Sequence, residues 1–334
     1  MEEKITRRHF IKTTAVGTAV VLASSLFFPK EPALAAEARS RVVAASYSNI
    51  VDASEQINTK IVRSTLDETL VALTNTASVR DAWAKIFPRL QSSDVIGIKV
   101  NCINSRQSTH PEVVYAIAES LTESLDMNPN NIIIWDRTSR ELKRAKYTLN
   151  MSNTGIRCLA TSDKIGYDKS FAVDVGKRRK VHLSNILTKM CTYLINMPVL
   201  KDHDIAGITL SMKNHYGSID RPGSCHGGAC DPYVANLNNT PQIKDKTALI
   251  LCDALFGIYK GGPMGSPQWI NRQLLASTDP VALDYTGMVL IDQQRRAKNL
   301  TLASKKTKHL HTAAKLGIGT NDPQQIDLLK VKLG

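Results

Sequence analysis

Short, continuous apolar runs that end in polar residues recur along the chain, and they constrain its fold more than any other feature. They span residues 95–100, 131–136, 192–198 and 248–253. Because apolar and polar residues do not alternate within them, they are typical of strands covered on both faces of a parallel sheet. A helical pattern at Val113, Ile117 and Leu121 separates the first two runs and predicts a right-handed crossover. We therefore predict an α/β fold with a mostly parallel sheet flanked by helices.

The polar residues at the ends of these runs are the first candidates for a binding site. In open parallel sheets, ligands bind at the carboxyl ends of the strands. We therefore expect a ligand cleft at that edge, with side chains from distant loops gathered in it. The candidates that follow the predicted strands are Asn101, Asn104, Asp136, Lys201, His203 and Asp253.

The 334 residues divide into four predicted segments. Residues 1–35 read as a signal peptide, 36–93 as a segment leading into the domain, 94–292 as the α/β body and 293–334 as a basic C-terminal tail. No apolar run of about 18 residues or more follows the N-terminal region, which excludes a membrane protein with several spanning helices.

The N-terminus carries three export signals in the correct order. Arg7 and Arg8 form a twin-arginine motif, an apolar stretch spans residues 13–28, and Ala33 and Ala35 offer a small-x-small cleavage site. This order predicts export by the twin-arginine machinery to the periplasm or an equivalent extracytoplasmic compartment. The sequence leaves open whether the signal is cleaved.

The formal net charge of +13 favours anionic partners. Local basic runs occur at residues 177–180 and 305–308, and neither contains an aromatic residue. Binding of single-stranded nucleic acid usually combines basic with aromatic side chains. We therefore predict no nucleic-acid partner, and a small anionic ligand instead.

A central stretch from Leu194 to Asp231 concentrates lysine and histidine. A buried lysine has an adjustable pKa, and histidine can act as acid, base or ligand. We expect the two lysines to bind a carboxylate or phosphate, the histidines to move a proton, and Asp253 to orient a histidine or hold a metal. The predicted catalytic residues are Lys201, His203, Lys213, His215 and Asp253.

A second set of residues is predicted to bind substrate. Two asparagines lie at a strand end and in the central stretch, two glycines lie in a loop whose backbone donors could hold an anion, and two aspartates open a later helix. Asp279 also suits the N-cap of that helix, with Pro280 in its first turn. The predicted substrate-binding residues are Asn101, Asn214, Gly261, Gly262, Asp279 and Asp284.

Six cysteines are present, without a CxxC motif or a closely spaced ferredoxin-type run. Cys225, His226 and Cys230 could form a metal site together with His215. A disulfide between Cys225 and Cys230 and two free thiols are equal alternatives at this point. The cofactor therefore remains unknown: a metal stays open, and an iron–sulfur cluster in this chain is not expected.

Several of these motifs together resemble the domain of unknown function 362 family over roughly residues 94–292. The matching blocks are residues 98–101, 196–203, 208–217, 252–254, 261–265 and 279–284, with His226 between them. The resemblance implies an α/β fold and an association with iron–sulfur proteins. Many members carry a ferredoxin-like module, which this chain lacks.

Two functions are compatible with this sequence. The first is an exported enzyme that acts on a small anionic substrate by Lys/His/Asp chemistry, with a metal or a redox partner protein left open. The second is a non-catalytic periplasmic accessory protein that binds a metal or an anion. Binding a metal or an anion does not by itself require both acidic and basic groups, so their joint presence favours the enzyme.

Overall fold

The computed structural model describes residues 39–334, so the predicted signal peptide lies outside the described residues. These residues form one compact unit. Within them, no helix is long and apolar enough to span a membrane. The strands are β1 (Ser40–Tyr47), β2 (Ile96–Lys99), β3 (Ile132–Asp136), β4 (Arg157–Ala160), β5 (Val173–Gly176), β6 (Arg179–Val181), β7 (Tyr193–Asn196), β8 (Val199–His203), β9 (Gly207–Thr209), β10 (Thr247–Ile258), β11 (Trp269–Ser277) and β12 (Ile326–Leu333).

Helices cover both faces of a ten-stranded sheet. They are α1 (Thr59–Thr74), α2 (Val79–Ile86), α3 (Pro111–Leu125), α4 (Ser139–Arg144), α5 (Ser211–Asn214), α6 (Tyr233–Asn238), α7 (Pro241–Lys244), α8 (Pro280–Ala297) and α9 (Lys308–Lys315). Helices α1 to α3 bury their apolar side chains on one face. Helices α6, α8 and α9 pack on the other face. The prediction of an α/β fold with a mostly parallel sheet is confirmed.

The strand order places a topological switch point between β2 and β7. Five neighbouring strands run parallel in the order β4-β3-β2-β7-β10. The chain proceeds outward from β2 to β3 and β4, then returns to the other side of β2 to form β7 and β10. Loops leaving β2 and β7 therefore diverge, and such a point opens a crevice at the carboxyl ends of the strands.

Both ends of the described chain join the same sheet. β1 pairs antiparallel with β11, and β12 pairs parallel with β1 at the edge. The segment predicted to lead into the domain thus supplies a strand and two helices, and the predicted basic tail supplies α9 and the edge strand. The body consequently extends beyond 94–292 at both ends.

The N-caps of α8 and α3 differ in their side-chain contacts. Asp279 caps α8 as expected, because its side chain accepts hydrogen bonds from the backbone N–H groups of Val281 and Ala282. The N-cap of α3 is His110, whose side chain makes no capping hydrogen bond. The hydroxyl of the preceding Thr109 donates to the carbonyl of Met197 at 2.9 Å, which ties the loop after β2 to the end of β7.

Candidate functional site

A cleft of about 280 Å³ lies above the carboxyl ends of β2 and β3, beside the switch point. Its lining comes from the loops after these strands, from the β8–β9 hairpin and from the segment around α5. We call the buried polar network at its base the floor: Lys99, Asn101, Asp136 and Asn214 line the cleft, and Asn196 lies beneath them. We call the basic residues beside them the wall (His203, Lys213 and His226).

The floor is built on a buried ion pair. Lys99 Nζ lies 2.8 Å from Asp136 Oδ1, and both side chains are almost completely inaccessible to solvent. A buried charge without a partner would be strongly destabilising, so each residue requires the other. The turn after α5 approaches this pair so closely that a Cβ atom at Gly217 would lie 2.7 Å from both charged atoms. Glycine is therefore required there on steric grounds.

Three asparagines connect the ion pair to the neighbouring strands. Asn214 Oδ1 accepts hydrogen bonds from Asn101 Nδ2 at 3.0 Å and from Lys99 Nζ at 3.3 Å. Asn214 Nδ2 donates to Asn196 Oδ1 at 2.7 Å. These contacts join the ends of β2 and β7 to α5. Since buried polar groups that are fully bonded fix a unique geometry, the floor is a rigid base.

Lys201 lies behind the floor and does not line the cleft. Its completely buried Nζ donates to Asn101 Oδ1 at 2.8 Å and to the carbonyl of Gln107 at 3.2 Å. Burial lowers the pKa of Lys201 to about 7. Lys201 was predicted to be catalytic, but it lies one layer below the cleft and holds Asn101 of the floor in place.

The wall contains a lysine without a carboxylate partner among residues 39–334. Lys213 Nζ lies 3.3 Å from His226 Nε2 and 3.9 Å from the centre of the Tyr216 ring. No Asp or Glu of the described chain forms an ion pair with it. Burial lowers the pKa of Lys213 to about 8. The cation–π contact with the ring favours the charged form, and an anion in the cleft would favour it further.

The two histidines of the wall are neutral and stacked, with ring centres 5.6 Å apart. His226 Nδ1 lies 3.0 Å from the carbonyl of Pro222, so Nδ1 carries the hydrogen and Nε2 turns its lone pair toward Lys213. His203 Nδ1 accepts from the backbone N–H groups of Ile205 and Ala206, which leaves its hydrogen on Nε2. Burial lowers the pKa of both, to about 3 for His203, and Lys213 adds to the effect.

Two further predicted catalytic residues lie away from this cleft. His215 is buried against a different cavity, where its nitrogens face Asn196 Nδ2 at 3.3 Å and the Ser218 hydroxyl at 3.2 Å. Asp253 accepts from both the backbone N–H and the ring Nδ1 of His110, at 2.8 and 2.7 Å. Of the five predicted catalytic residues, His203 and Lys213 line the cleft, and Lys201 is one layer behind it.

The two predicted substrate-binding aspartates organise the backbone instead of facing the cleft. Asp279 caps α8 and also accepts from Ser40 Oγ at 2.6 Å and from the N–H of Thr320 at 2.9 Å. Asp284 is completely buried and accepts from the N–H groups of Ser211 and Met212. It thereby fixes the start of α5, the helix that carries Lys213 and Asn214 into the cleft.

The glycine-rich loop reaches the cleft through Pro263, whereas Gly261 and Gly262 do not line it. The N–H of Gly262 donates to Asp202 Oδ1 at 2.7 Å, and a Cβ atom there would collide with Asp202. Asn104 Nδ2 donates to the carbonyl of Pro263 at 2.9 Å. These contacts dock the loop on the residues that follow β2.

All six cysteines are buried free thiols in this structure. Cys225 and Cys230 are not bonded to each other here, and the choice between thiols, a disulfide and metal ligands stays a prediction. Within residues 39–334, no three His, Cys, Asp or Glu side chains are grouped to hold a metal ion, and Cys225, His226 and Cys230 form no such group in this arrangement.

Among the cleft residues that sequence reasoning missed are Lys99 and Tyr216; Asp136 was a strand-end candidate, but its ion pair with Lys99 was not predicted. Lys99 stands inside a strand whose other residues are apolar, and a lysine on a fully covered strand requires a buried partner. Asp136 ends the adjacent strand, one residue after Trp135, the register partner of Lys99. This combination was the available signal for the ion pair. No sequence signal pointed to Tyr216, because its ring reaches Lys213 only through the turn after α5.

A family model described as "Domain of unknown function (DUF362)" matches residues 96–289, more than half of the chain. The chain belongs to this family. The match contains the floor, the wall and α5, so the cleft lies within the shared domain. The family's description names no activity.

Comparison with curated proteins found no match. Among solved structures, the chain is similar to the crystal structure of a protein from Thermotoga maritima, a structural-genomics target, with 9% sequence identity and a TM-score of 0.38. The matched region covers 78% of this chain and 59% of that one.

Proposed function

We propose that this member of the DUF362 family is an enzyme that binds a small oxyanion in the cleft and transfers a proton on it through Lys213 and His226. The observation that carries the proposal is the Lys213 ammonium, which has no carboxylate partner among residues 39–334 and lies 3.3 Å from Nε2 of the neutral His226. In this proposal the substrate binds at the wall, and the floor keeps the residues of the cleft in position.

The charge balance of the cleft supports an anionic ligand. Three cationic side chains and two carboxylates line it. Lys99 and Asp136 neutralise each other at 2.8 Å. Arg137 and Glu141 are of opposite sign, which leaves the Lys213 charge without compensation. A carboxylate, phosphate or sulfate group would supply the missing partner through a charge-assisted hydrogen bond.

The pKa of Lys213 supports proton transfer as well as binding. A side chain with a pKa of about 8 exists in both protonation states near neutral pH. His226 Nε2 can accept a proton from Lys213, and burial lowers the pKa of His226, so the proton does not remain there. The pair is thus suited to pass a proton to or from a bound anion.

Isothermal titration with sulfate and with malonate tests the binding half of this proposal. Lys213→Met should weaken both affinities by about 10- to 100-fold, because one charged hydrogen bond is lost. Lys330→Met removes the same charge from the exposed edge strand β12 and should leave both affinities unchanged. Equal affinities in all three proteins would contradict the proposal.

A solvent-exchange experiment separates an enzyme from an accessory protein that only captures anions. A panel of small carboxylates is incubated with the protein in D₂O, and loss of carbon-bound proton signals is followed by NMR. We expect exchange on at least one compound with the wild-type protein and none with Lys213→Met. Binding without any exchange would favour the capture function.

We also propose that the protein acts after twin-arginine export and that any iron–sulfur cluster it works with is held by a partner protein. The N-terminal motif supports the first part and the absence of a ferredoxin-type cysteine run the second. Replacement of Arg7 and Arg8 by Lys should retain the precursor in the cytoplasm. Unchanged export in a fractionation assay would contradict this assignment.

A further inference from the structure

Part of the cleft lining is apolar and lies beside the basic wall. Ile103, Pro222 and Pro263 line the cleft together with the wall residues, and we call these three the apolar rim. The rim and the wall are directly connected, because His226 Nδ1 donates to the carbonyl of Pro222 at 3.0 Å. A ligand held at the wall therefore has apolar side chains next to it.

Ile103 is held at the cleft by a backbone that is anchored on both sides. The residue is 48% exposed. Before it, the N–H of Cys102 donates to Asp136 Oδ2 at 2.7 Å. After it, Asn104 Nδ2 donates to the carbonyl of Pro263 at 2.9 Å. Because these contacts fix the loop after β2, the side chain of Ile103 lines the cleft and is not buried in the core.

Two further exposed apolar side chains lie on loops beside the rim. Met264 lies in the glycine-rich loop, and Ile205 lies in the turn of the β8–β9 hairpin. The N–H of Asp204 donates to the carbonyl of Gly262 at 3.0 Å, which joins this turn to that loop. Single exposed apolar residues are ordinary, whereas groups of them mark binding surfaces. Three of the seven large apolar residues exposed within residues 39–334 thus lie on loops that border the cleft.

The size and the charge of the cleft favour a small organic monoanion. Pockets that hold drug-sized molecules measure about 300 to 1,000 Å³, and this cleft of about 280 Å³ lies just below that range. An inorganic oxyanion at Lys213 would leave the apolar rim in contact with water. Since one cationic charge of the lining is uncompensated, a single carboxylate balances it, and the remaining space can hold carbon atoms.

We propose that the substrate of the cleft is a monocarboxylate whose hydrocarbon arm, the size of a butyl or pentyl chain, packs on the apolar rim while its carboxylate binds Lys213. The inference rests on the proposed function and deepens it by naming the substrate class. It also gives Ile103 a role in specificity: Lys213 selects the ligand by charge, and the rim selects it by the length of its apolar arm.

Equilibrium titrations with acetate, butanoate and hexanoate, followed by NMR, test this inference. Each methylene group buried on the rim should tighten binding by up to about fourfold, so hexanoate should bind at least about tenfold more tightly than acetate. Ile103→Ser should reduce this difference to about threefold or less. Met151→Ser, at an exposed position outside the cleft lining, should retain the full difference. Both residues are exposed, so neither variant should lower the unfolding temperature.

Two controls separate the apolar arm from the charge. Hexylammonium has the same chain length with the opposite charge and should not bind measurably. Lys213→Met should weaken binding of all three acids and retain the increase with chain length. Equal affinities for acetate and hexanoate in the wild-type protein, or the full difference retained in Ile103→Ser, would overturn this inference alone. Hexylammonium binding as tight as that of hexanoate, or unchanged acetate affinity in Lys213→Met, would instead contradict the proposed function.

A crystal of the wild-type protein grown with hexanoate provides a readout that does not depend on variants. A carboxylate oxygen should lie within about 3.2 Å of Lys213 Nζ, and the chain should approach Ile103 to within about 4.5 Å. A carboxylate bound at Lys213 with its chain directed away from the apolar rim would overturn the inference and leave the proposed function standing.

Discussion

The floor and the wall of the cleft contain the same types of side chain, but they differ in how far those side chains are already bonded. In the floor, Lys99 is paired with Asp136, and the asparagines are bonded to it and to one another. In the wall, Lys213 faces only a neutral histidine and an aromatic ring. Residue type therefore does not distinguish structural from ligand-binding groups here. What distinguishes them is whether the side chain already has hydrogen-bond and charge partners within the protein.

The difference follows from where each group sits. Lys99 and Asp136 end adjacent parallel strands, so the sheet itself brings opposite charges together. Lys213 is carried by the short helix α5, whose position is set by Asp284 and not by a partner of the lysine. The floor should therefore contribute to stability and the wall to binding.

The largest expected effect is on the floor. Asp136→Ala leaves the Lys99 ammonium buried and unpaired and also removes the acceptor for the N–H of Cys102. We expect the free energy of unfolding to decrease by about 4 kcal/mol in chemical denaturation. Glu141→Ala, at a partly exposed position in the cleft lining, should cost less than about 0.5 kcal/mol. Similar losses in the two variants would contradict the structural role assigned to the floor.

The next largest effect is the pH dependence of sulfate affinity, which tests whether Lys213 is the anion-binding group. Only its protonated form attracts an anion, and its pKa in the ligand-free protein is lowered to about 8. Sulfate affinity should therefore fall as pH rises above about 8, approaching tenfold per pH unit. Arginine stays charged throughout this range, so Lys213→Arg should bind sulfate with little pH dependence. A wild-type affinity that is constant up to about pH 9.5 would contradict the assignment.

The smallest effect concerns the neutral histidines of the wall. The folded-state pKa of His203 is lowered to about 3 from an ordinary value of 6.5, so the unfolded chain binds more protons between these values. Stability should decrease as pH falls from about 6.5 toward about 3. His203→Asn keeps an acceptor for the two N–H groups and should reduce this slope by up to about 1 kcal/mol per pH unit. The exposed His311→Asn is the matched control, and identical slopes in both variants would count against a buried neutral His203.

Most of the fold could be predicted from the sequence because it follows from local pattern. Each of the four apolar runs forms a strand, and all four strands, β2, β3, β7 and β10, belong to the parallel part of the sheet. The edge strand β12 was not predicted, since a half-exposed strand beside β1 has no continuous apolar run. The position of the cleft at the carboxyl ends was a correct expectation from the parallel topology.

The residues that form the site were harder to predict from the sequence. A polar side chain that accepts hydrogen bonds from backbone N–H groups is not available to a ligand, and the sequence does not show which side chains do so. Asp253, Asp279 and Asp284 follow motifs that suggest chemistry, yet their oxygens accept backbone N–H groups, and Asp253 also binds the ring of His110. The segment predicted as a tail also packs on the body, since α9 contacts α6, α8 and the turn of residues 227–230.

The most direct test of the distinction between floor and wall is the anomalous difference map of a crystal of the wild-type protein grown with selenate, a heavier analogue of sulfate. We expect one selenium peak in the cleft within about 4 Å of Lys213 Nζ, with the Lys99–Asp136 pair unbroken beneath it. A peak bound at Lys99 in place of Asp136, or no peak near Lys213 at a selenate concentration that saturates binding in solution, would contradict that distinction.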